Sequence, residues 1–116
     1  MTGVQTCALP IYPEELFAAG YAACFHSAVK RVAADKKTNI GASTIDARVG
    51  LGRDDEGPGY RLAVELQVVL PGADADVAVD VVRAAHLVCP YSNATRNNID
   101  VKLSVKPADG KTYELS

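Results

Sequence analysis

The fold is decided by residues 13–34, which read PEELFAAGYAACFHSAVKRVAA. Pro13 suits the first position of a helix, because its fixed φ angle and missing N–H cost nothing there. Glu14 and Glu15 place negative charge near the positive end of the helix dipole. Since no other proline interrupts the stretch, we predict one long helix.

The middle of this helix, residues 16–23, is apolar on nearly every face and rich in Ala and Gly. Such a segment is expected to be buried all round rather than on one side only. Cys24 lies in this zone and is therefore expected inside the core. The helix should emerge into water at its C-terminal end, where the charged residues are Lys30, Arg31, Asp35, Lys36 and Lys37.

The composition is that of an ordinary globular protein with one core, since 48% of the 116 residues are hydrophobic and 22% are charged. A net charge of −2 with interspersed signs gives no basic surface for a nucleic acid. No apolar run reaches the roughly 20 residues that span a bilayer, and no cationic region followed by a long apolar segment begins the chain. We therefore predict a cytoplasmic protein without nucleic-acid or membrane partners. Three irregularly spaced cysteines do not indicate a secreted disulfide framework, which leaves thiol chemistry or core burial.

Alternating apolar residues predict a pair of strands after the helix, over residues 43–51 and 60–70. The turn between them is rich in Asp and Gly, so the two strands should pair as an antiparallel hairpin. A third strand is predicted over residues 99–105 by the same alternation, and a weak fourth over residues 112–115.

A second helix is predicted over residues 77–88, with Asp74 or Asp76 as its N-terminal cap. Pro90 should end it near Cys89, because the residue before a proline is driven out of the helical region. The turn-forming residues 91–98 then predict a loop.

Together these elements predict an α+β fold in which a long buried central helix and a second helix pack on antiparallel strands. A helix that is apolar on every side needs more cover than three strands and a short helix supply. Exposing even three large apolar side chains, at about 1.5–3 kcal/mol each, would consume most of a small domain's stability. We therefore predict missing strands, a partner subunit, or both, and an obligate homodimer.

Residues 1–12, MTGVQTCALPIY, show no clear period and stop where the first helix begins. They resemble the translation of a sequencing adapter, in which case Cys7 has no evolved role and the true N-terminal strands have been lost. The alternative is a short disordered leader. The predicted domain therefore covers residues 13–116 and is incomplete at its N-terminus.

The stretches around two cysteines carry a family resemblance. PEELFAAGYAACF surrounds Cys24, and AHLVCPYSNATRNNIDV surrounds Cys89. Both resemble the two signature motifs of the organic hydroperoxide resistance (Ohr) proteins, which share a superfamily with the OsmC proteins. The resemblance runs from Pro13 to about Lys106, and it implies an OsmC-like fold.

The resemblance also implies a thiol-dependent organic hydroperoxide reductase. Cys24 would be the peroxidatic cysteine, whose thiolate reduces the hydroperoxide to an alcohol and becomes a sulfenic acid. Cys89 would be the resolving cysteine, which forms an intramolecular disulfide with it, so the two Cα atoms should lie about 4.4–6.8 Å apart or nearly so. No metal or bound cofactor is implied. The implied substrates are organic or fatty-acid hydroperoxides, and the implied reductant is a dihydrolipoyl group on a lipoylated protein or another dithiol.

The family further activates its thiolate with a glutamate and an arginine. The glutamate corresponds to Glu14, which lies about 15 Å from Cys24 along a straight helix. Glu14 would thus act across a subunit interface, or the helix would break near Gly20; alternatively, it is only a charge that favours the helix dipole. The arginine has no counterpart, because the chain departs from the family pattern just before Pro13. As substitutes, Arg31 lies about 10 Å from the thiol along the helix, which is too far, and Arg96 reaches it only if its loop folds back.

A metal site is a rival interpretation, since Cys24, His26, His86 and Cys89 are all possible ligands. Cys24 and His26 point about 200° apart around the helix, however, so they cannot hold one ion. We expect His86 to pack or cap near the end of its helix, and His26 to lie where the first helix reaches the surface. We expect Tyr21 to pack, and Tyr91 to pack or to donate a hydrogen bond to substrate. Two other functions stay open: a non-catalytic module that binds hydrophobic ligands, and an inactive fragment that dimerises.

Overall fold

The protein is described here by a computed structural model, which covers residues 12–115. The predicted leader, with Cys7, lies outside the described residues except for Tyr12. The elements in chain order are helix α1 Pro13–Asp35, strands β1 Thr44–Arg53 and β2 Tyr60–Val69, helices α2 Ala75–Val88 and α3 Pro90–Thr95, and strands β3 Val101–Lys106 and β4 Tyr113–Glu114.

The four strands form one mixed sheet in the order β1-β2-β3-β4. Strands β1 and β2 make the predicted antiparallel hairpin, with Thr44 opposite Val69. Strands β2 and β3 are parallel, with Val64 opposite Val101, whereas β3 and β4 are antiparallel. The α+β class is confirmed, but the prediction of antiparallel strands throughout is wrong, because α2 and α3 form a crossover between β2 and β3.

Helix α1 is continuous over its whole length, so the predicted alternative of a break near Gly20 is wrong. The prediction that its middle is buried all round is also wrong for the single chain, in which Leu16 is 44% exposed. The sheet, α2 and α3 contact one face of α1, and the residues of the opposite face are exposed. The buried residues recur three or four positions apart on that covered face: Tyr21, Phe25, Ala28, Val29, Val32 and Ala33.

Helix α2 begins where Asp74 caps it, since the Asp74 carboxylate accepts a hydrogen bond of 3.0 Å from the backbone N–H of Val77. It ends at Val88, as Pro90 predicts, and Cys89 is extended with φ −66° and ψ 122°. The prediction of a loop after Cys89 is wrong, because Pro90–Thr95 forms helix α3. Proline favours the first position of a helix, so the residue that ends α2 also begins α3.

The core lies between the helices and the inner face of the sheet. Its fully buried strand residues are Leu66, Val68 and Val105, and those of α2 include Val81 and Val82. Within residues 12–115, no helix has the length and hydropathy that a bilayer crossing requires.

Candidate active site

The sulfur atoms of Cys24 and Cys89 lie 3.5 Å apart, although 65 positions separate the two residues in the chain. Both thiols are free. Cys24 is partly exposed, whereas Cys89 is fully buried. Since a disulfide needs about 2.05 Å between sulfurs, a shift of about 1.5 Å would join them. The predicted approach of the two thiols is confirmed.

Cys89 occupies the one extended residue between α2 and α3. Its backbone N–H donates to the carbonyl of Ala85 at 2.9 Å, and its own carbonyl accepts from the N–H of Asn93 at 3.0 Å. The backbone of Cys89 is therefore held by both helices, and its side chain faces α1, where Cys24 lies.

The surroundings of Cys24 act on its pKa in both directions. Burial raises the pKa of the Cys24 thiol above its ordinary value of 9.0, and the neighbouring Cys89 raises it further. The backbone N–H of Tyr91 hydrogen-bonds to the Cys24 sulfur and lowers the pKa, but by less than burial raises it. In the single chain, the neutral thiol is therefore the dominant form at pH 7.

Glu14 lies in the first turn of α1, ten residues before Cys24. Because α1 is continuous, the separation of about 15 Å along the helix axis holds, and Glu14 does not reach this thiol within one chain. It lines a mostly apolar cavity of about 420 Å³, together with Pro13, Phe17, Leu51 and Leu62.

The two arginines considered from the sequence have other partners. Arg31 forms an exposed ion pair of 3.4 Å with Asp35. Arg96 donates to the side-chain oxygen of Asn93 and to the backbone carbonyl of His86, both at 2.6 Å. Arg96 therefore connects the C-terminal part of α2 to α3 and does not contact Cys24.

An aromatic cluster covers the side of α1 next to the thiols. The rings of Phe17 and Tyr91 are stacked with centroids 6.2 Å apart, and Tyr21 meets each of them edge to face at 5.8 Å. Gly20 makes room for this cluster, since a Cβ at that position would lie 3.3 Å from Cε2 of Tyr91. The expectation that Tyr91 packs is confirmed, whereas the role of Gly20 depends on a distant residue and was not predicted.

A buried polar network that the sequence did not predict lies beside the thiol pair. The hydroxyl of Ser92 lies 2.8 Å from the hydroxyl of Tyr21 and 2.8 Å from Nδ1 of His86. Tyr21 and Ser92 are fully buried, and the Thr95 hydroxyl lies 3.4 Å from that of Tyr21. Burial lowers the pKa of His86, and the positive charge of Arg96 lowers it further. The only available sequence signal was the spacing, since Tyr21 precedes one cysteine by three residues and Ser92 follows the other by three.

The four possible metal ligands do not gather at one point. Cys24 and Cys89 are together, but Nε2 of His26 bonds to the hydroxyl of Ser43 at 2.8 Å, and His86 bonds to Ser92. Across residues 12–115, no group of three or more His, Cys, Asp or Glu side chains could hold an ion.

The sequence of this chain matches a known protein family over most of its length. Residues 11–104 match the family described as OsmC-like protein. The chain therefore belongs to the OsmC-like family.

Within that family, the chain groups with the organic hydroperoxide resistance proteins, as its two cysteine motifs predict. It is 52% identical over 94 residues to the organic hydroperoxide resistance protein of Xanthomonas axonopodis pv. citri, covering 80% of this chain and 65% of that protein. It is 47% identical over 94 residues to OhrB of Bacillus subtilis, covering 81% of this chain and 68% of that protein. The chain thus spans about two thirds of the length of these relatives.

Solved structures agree with this grouping. The crystal structure of an organic hydroperoxide resistance protein from Elizabethkingia anophelis, with thiocyanate bound, superposes with a TM-score of 0.78 at 50% identity, covering 82% of this chain and 67% of that one. The crystal structure of OhrB from Bacillus subtilis gives a TM-score of 0.77 at 47% identity, covering 81% of this chain and 69% of that one.

Proposed function

We propose that this protein is a thiol-dependent organic hydroperoxide reductase in which Cys24 is the peroxidatic and Cys89 the resolving cysteine. The observation that carries the proposal is the sulfur–sulfur distance of 3.5 Å between one partly exposed and one fully buried thiol. A hydroperoxide can approach Cys24 from solvent, whereas Cys89 is accessible mainly to its neighbour. The names of the relatives from Xanthomonas and Bacillus support the same function.

In the first step, the Cys24 thiolate attacks the distal oxygen of the hydroperoxide and the O–O bond breaks. The sulfur is oxidised to a sulfenic acid, and the alkoxide that leaves takes a proton to become the alcohol. In the second step, the Cys89 sulfur attacks the Cys24 sulfur, the S–O bond breaks, and the oxygen leaves as water.

The resulting disulfide must be reduced before the next turnover. A dithiol supplies the two electrons and two protons, first through a mixed disulfide and then by closing its own ring or bridge. We include in the proposal a dihydrolipoyl group on a lipoylated protein as this reductant, with no cofactor bound to the chain itself. Such a cycle needs a reducing compartment, which supports a cytoplasmic location.

The surroundings of the thiols support an organic rather than an inorganic substrate. The stacked rings of Phe17 and Tyr91 form an apolar wall near Cys24, and the cavity at Phe17 is mostly apolar. The alkyl or aryl part of a hydroperoxide gains free energy by leaving water for such a wall, and hydrogen peroxide has no such part. Fatty-acid and other organic hydroperoxides are therefore the proposed substrates.

Activation of Cys24 and the open face of α1 both support a homodimer. The raised pKa of Cys24 has to be lowered for attack at pH 7, and the Tyr91 N–H alone does not achieve this. Leu16 is 44% exposed and Leu51 is 55% exposed. Both lie near Glu14, Leu16 on the same helix and Leu51 in the same cavity. In the proposed dimer, these apolar side chains are covered, and Glu14 of one subunit helps to orient the group that activates Cys24 of the other.

The test is the rate at which purified protein consumes cumene hydroperoxide with excess dihydrolipoamide. Cys24→Ser is expected to abolish turnover, and Cys89→Ser is expected to trap a sulfenic acid at Cys24 that reacts with dimedone. Hydrogen peroxide should be reduced more slowly than cumene hydroperoxide. Equal residual turnover in wild type and Cys24→Ser would refute the proposal; unchanged binding of an apolar ligand without turnover would favour a non-catalytic binding module.

A further inference from the structure

The Tyr21, Ser92 and His86 side chains connect all three helices around the thiol pair. His86 lies three residues before Cys89 and Ser92 three residues after it, so their hydrogen bond of 2.8 Å spans the junction between α2 and α3. Ser92 also bonds to Tyr21 at 2.8 Å, and Tyr21 lies three residues before Cys24 on α1. One hydroxyl therefore ties the segment that carries Cys89 to the helix that carries Cys24.

This network is complete, and it is fully buried at Tyr21 and Ser92 and partly buried at His86. Tyr21 and Ser92 have no exposed surface, and Thr95 supplies a second contact to the Tyr21 hydroxyl at 3.4 Å. Among the described residues, no buried side-chain nitrogen or oxygen lacks a hydrogen-bond partner. Buried hydrogen bonds of this kind are directional, so they fix the angle between α2 and α3 more tightly than apolar packing alone would.

We infer that Tyr21, Ser92 and His86 are positioning residues that hold Cys89 within reach of Cys24 and thereby speed formation of the disulfide. The inference rests on the proposed function and adds a role for residues that do not touch the substrate. Cys24 lies within a helix of 23 residues, so its own position does not depend on the network. Cys89 is the single extended residue between α2 and α3, so its position depends on how these two helices are held.

The sulfenic acid on Cys24 has two competing fates, and the network acts on only one of them. Attack by the Cys89 sulfur forms the disulfide and releases water. Attack of the sulfenic acid on a second hydroperoxide forms a sulfinic acid and releases a second alcohol. If the network is broken, disulfide formation slows, and more Cys24 is converted to the sulfinic acid at the same hydroperoxide concentration.

The experiment compares Ser92→Ala and Tyr21→Phe with wild type, with Cys7 replaced by Ser in every sample so that two thiols remain. Each reduced protein is treated with the same series of cumene hydroperoxide concentrations, and mass spectrometry measures the ratio of sulfinic acid to disulfide. We expect this ratio to rise about two- to tenfold in both variants, the range that loss of one buried hydrogen bond corresponds to. Tyr21→Phe keeps the ring and its contacts, so it provides the test even if Ser92→Ala does not fold.

Ser43→Ala is the matched control, because it removes a serine–histidine hydrogen bond of the same length, 2.8 Å, elsewhere on α1. This bond joins His26 to the segment before β1 and touches neither α2 nor α3. The ratio should stay at the wild-type value in Ser43→Ala. A rise there as large as in Ser92→Ala would overturn the inference, since the effect would then reflect general loss of stability. Wild-type ratios in both Ser92→Ala and Tyr21→Phe would overturn it as well.

A second measurement separates this inference from the proposed function. The equilibrium between the reduced protein and its Cys24–Cys89 disulfide is measured in glutathione buffers, which need no hydroperoxide. We expect the equilibrium constant for disulfide formation to fall about two- to tenfold in Ser92→Ala and Tyr21→Phe, but not in Ser43→Ala. If hydroperoxide fails to oxidise wild-type Cys24, the proposed function is wrong, and this equilibrium still decides the positioning role: unchanged constants in both variants refute it.

Discussion

Replacing Gly20 with Ala tests whether the contact between α1 and Tyr91 is adaptable or rigid. Glycine in the interior of a helix is less stable than alanine by about 0.5–1 kcal/mol, so the substitution gains that amount from the backbone. The new Cβ would lie 3.3 Å from Cε2 and 3.5 Å from the hydroxyl oxygen of Tyr91, so the ring must retreat by a few tenths of an ångström. Since Tyr91 is 40% exposed, its ring has room to move.

The cost of that movement is small. Losing two or three carbon–carbon contacts corresponds to about 0.3 kcal/mol. Gly20→Ala should therefore stabilise the protein by about 0.5 kcal/mol, which raises the melting temperature by about 2–3 °C for a domain of this size. Gly20→Leu should instead displace the ring from Phe17 and destabilise the protein by about 1–3 kcal/mol.

Thermal unfolding at one fixed protein concentration measures both effects, because the proposed dimerisation would make the midpoint depend on concentration. Ala34→Gly is the matched control, since Ala34 is exposed on the same helix near its charged end, away from the proposed interface at Leu16, and its replacement isolates the backbone effect. A Gly20→Ala variant that is destabilised by more than about 1 kcal/mol would refute the reasoning and show that the Tyr91 ring is held rigidly.

Three further predictions concern ionisation and assembly. Replacing Cys89 with Ala removes a neighbour that raises the pKa of Cys24, so the midpoint of the pH dependence of Cys24 alkylation by iodoacetamide should move to lower pH. The pKa of His86 is lowered in the folded state, so the unfolded state binds more protons just below pH 6.5. The free energy of unfolding should therefore fall as the pH drops through 6.5. In urea titrations, His86→Gln should make this fall smaller. Leu16→Glu should raise the dissociation constant of the proposed dimer at least tenfold in sedimentation experiments, because it places a charge in the apolar interface. Lys30→Glu, at the exposed charged end of α1, should leave this dissociation constant unchanged. Equal effects of the two substitutions would contradict the proposed interface.

Much of the fold could be predicted because its signals are local. Three signals each act within a few residues: Pro13 with the acidic first turn of α1, the alternation of the hairpin strands, and the cap at Asp74. The structure contains the elements they predict, which are α1, the β1–β2 hairpin and α2. Pro90 was correctly predicted to end α2, but its second effect, starting α3, was missed. The six residues of α3 are turn formers, and so short a helix depends on its packing against α1 and α2 rather than on propensity.

The details of the site depend on distant residues, which is why the sequence could not supply them. The approach of the two thiols was predicted through the family resemblance, not from their spacing, which is 65 residues. The hydrogen bond between Tyr21 and Ser92 joins residues 71 positions apart, and nothing in the local pattern marks either residue as a partner. The parallel pairing of β2 and β3 was missed for a similar reason, since strand direction is set by the crossover and not by alternation.

The most direct test of the account is the intact mass and free-thiol count of the reduced protein after one equivalent of an alkyl hydroperoxide, with peptide mapping of any bridge that forms. We predict rapid loss of two thiols and a bridge between Cys24 and Cys89. The absence of oxidation, or slow oxidation spread over all three cysteines including Cys7, would contradict it.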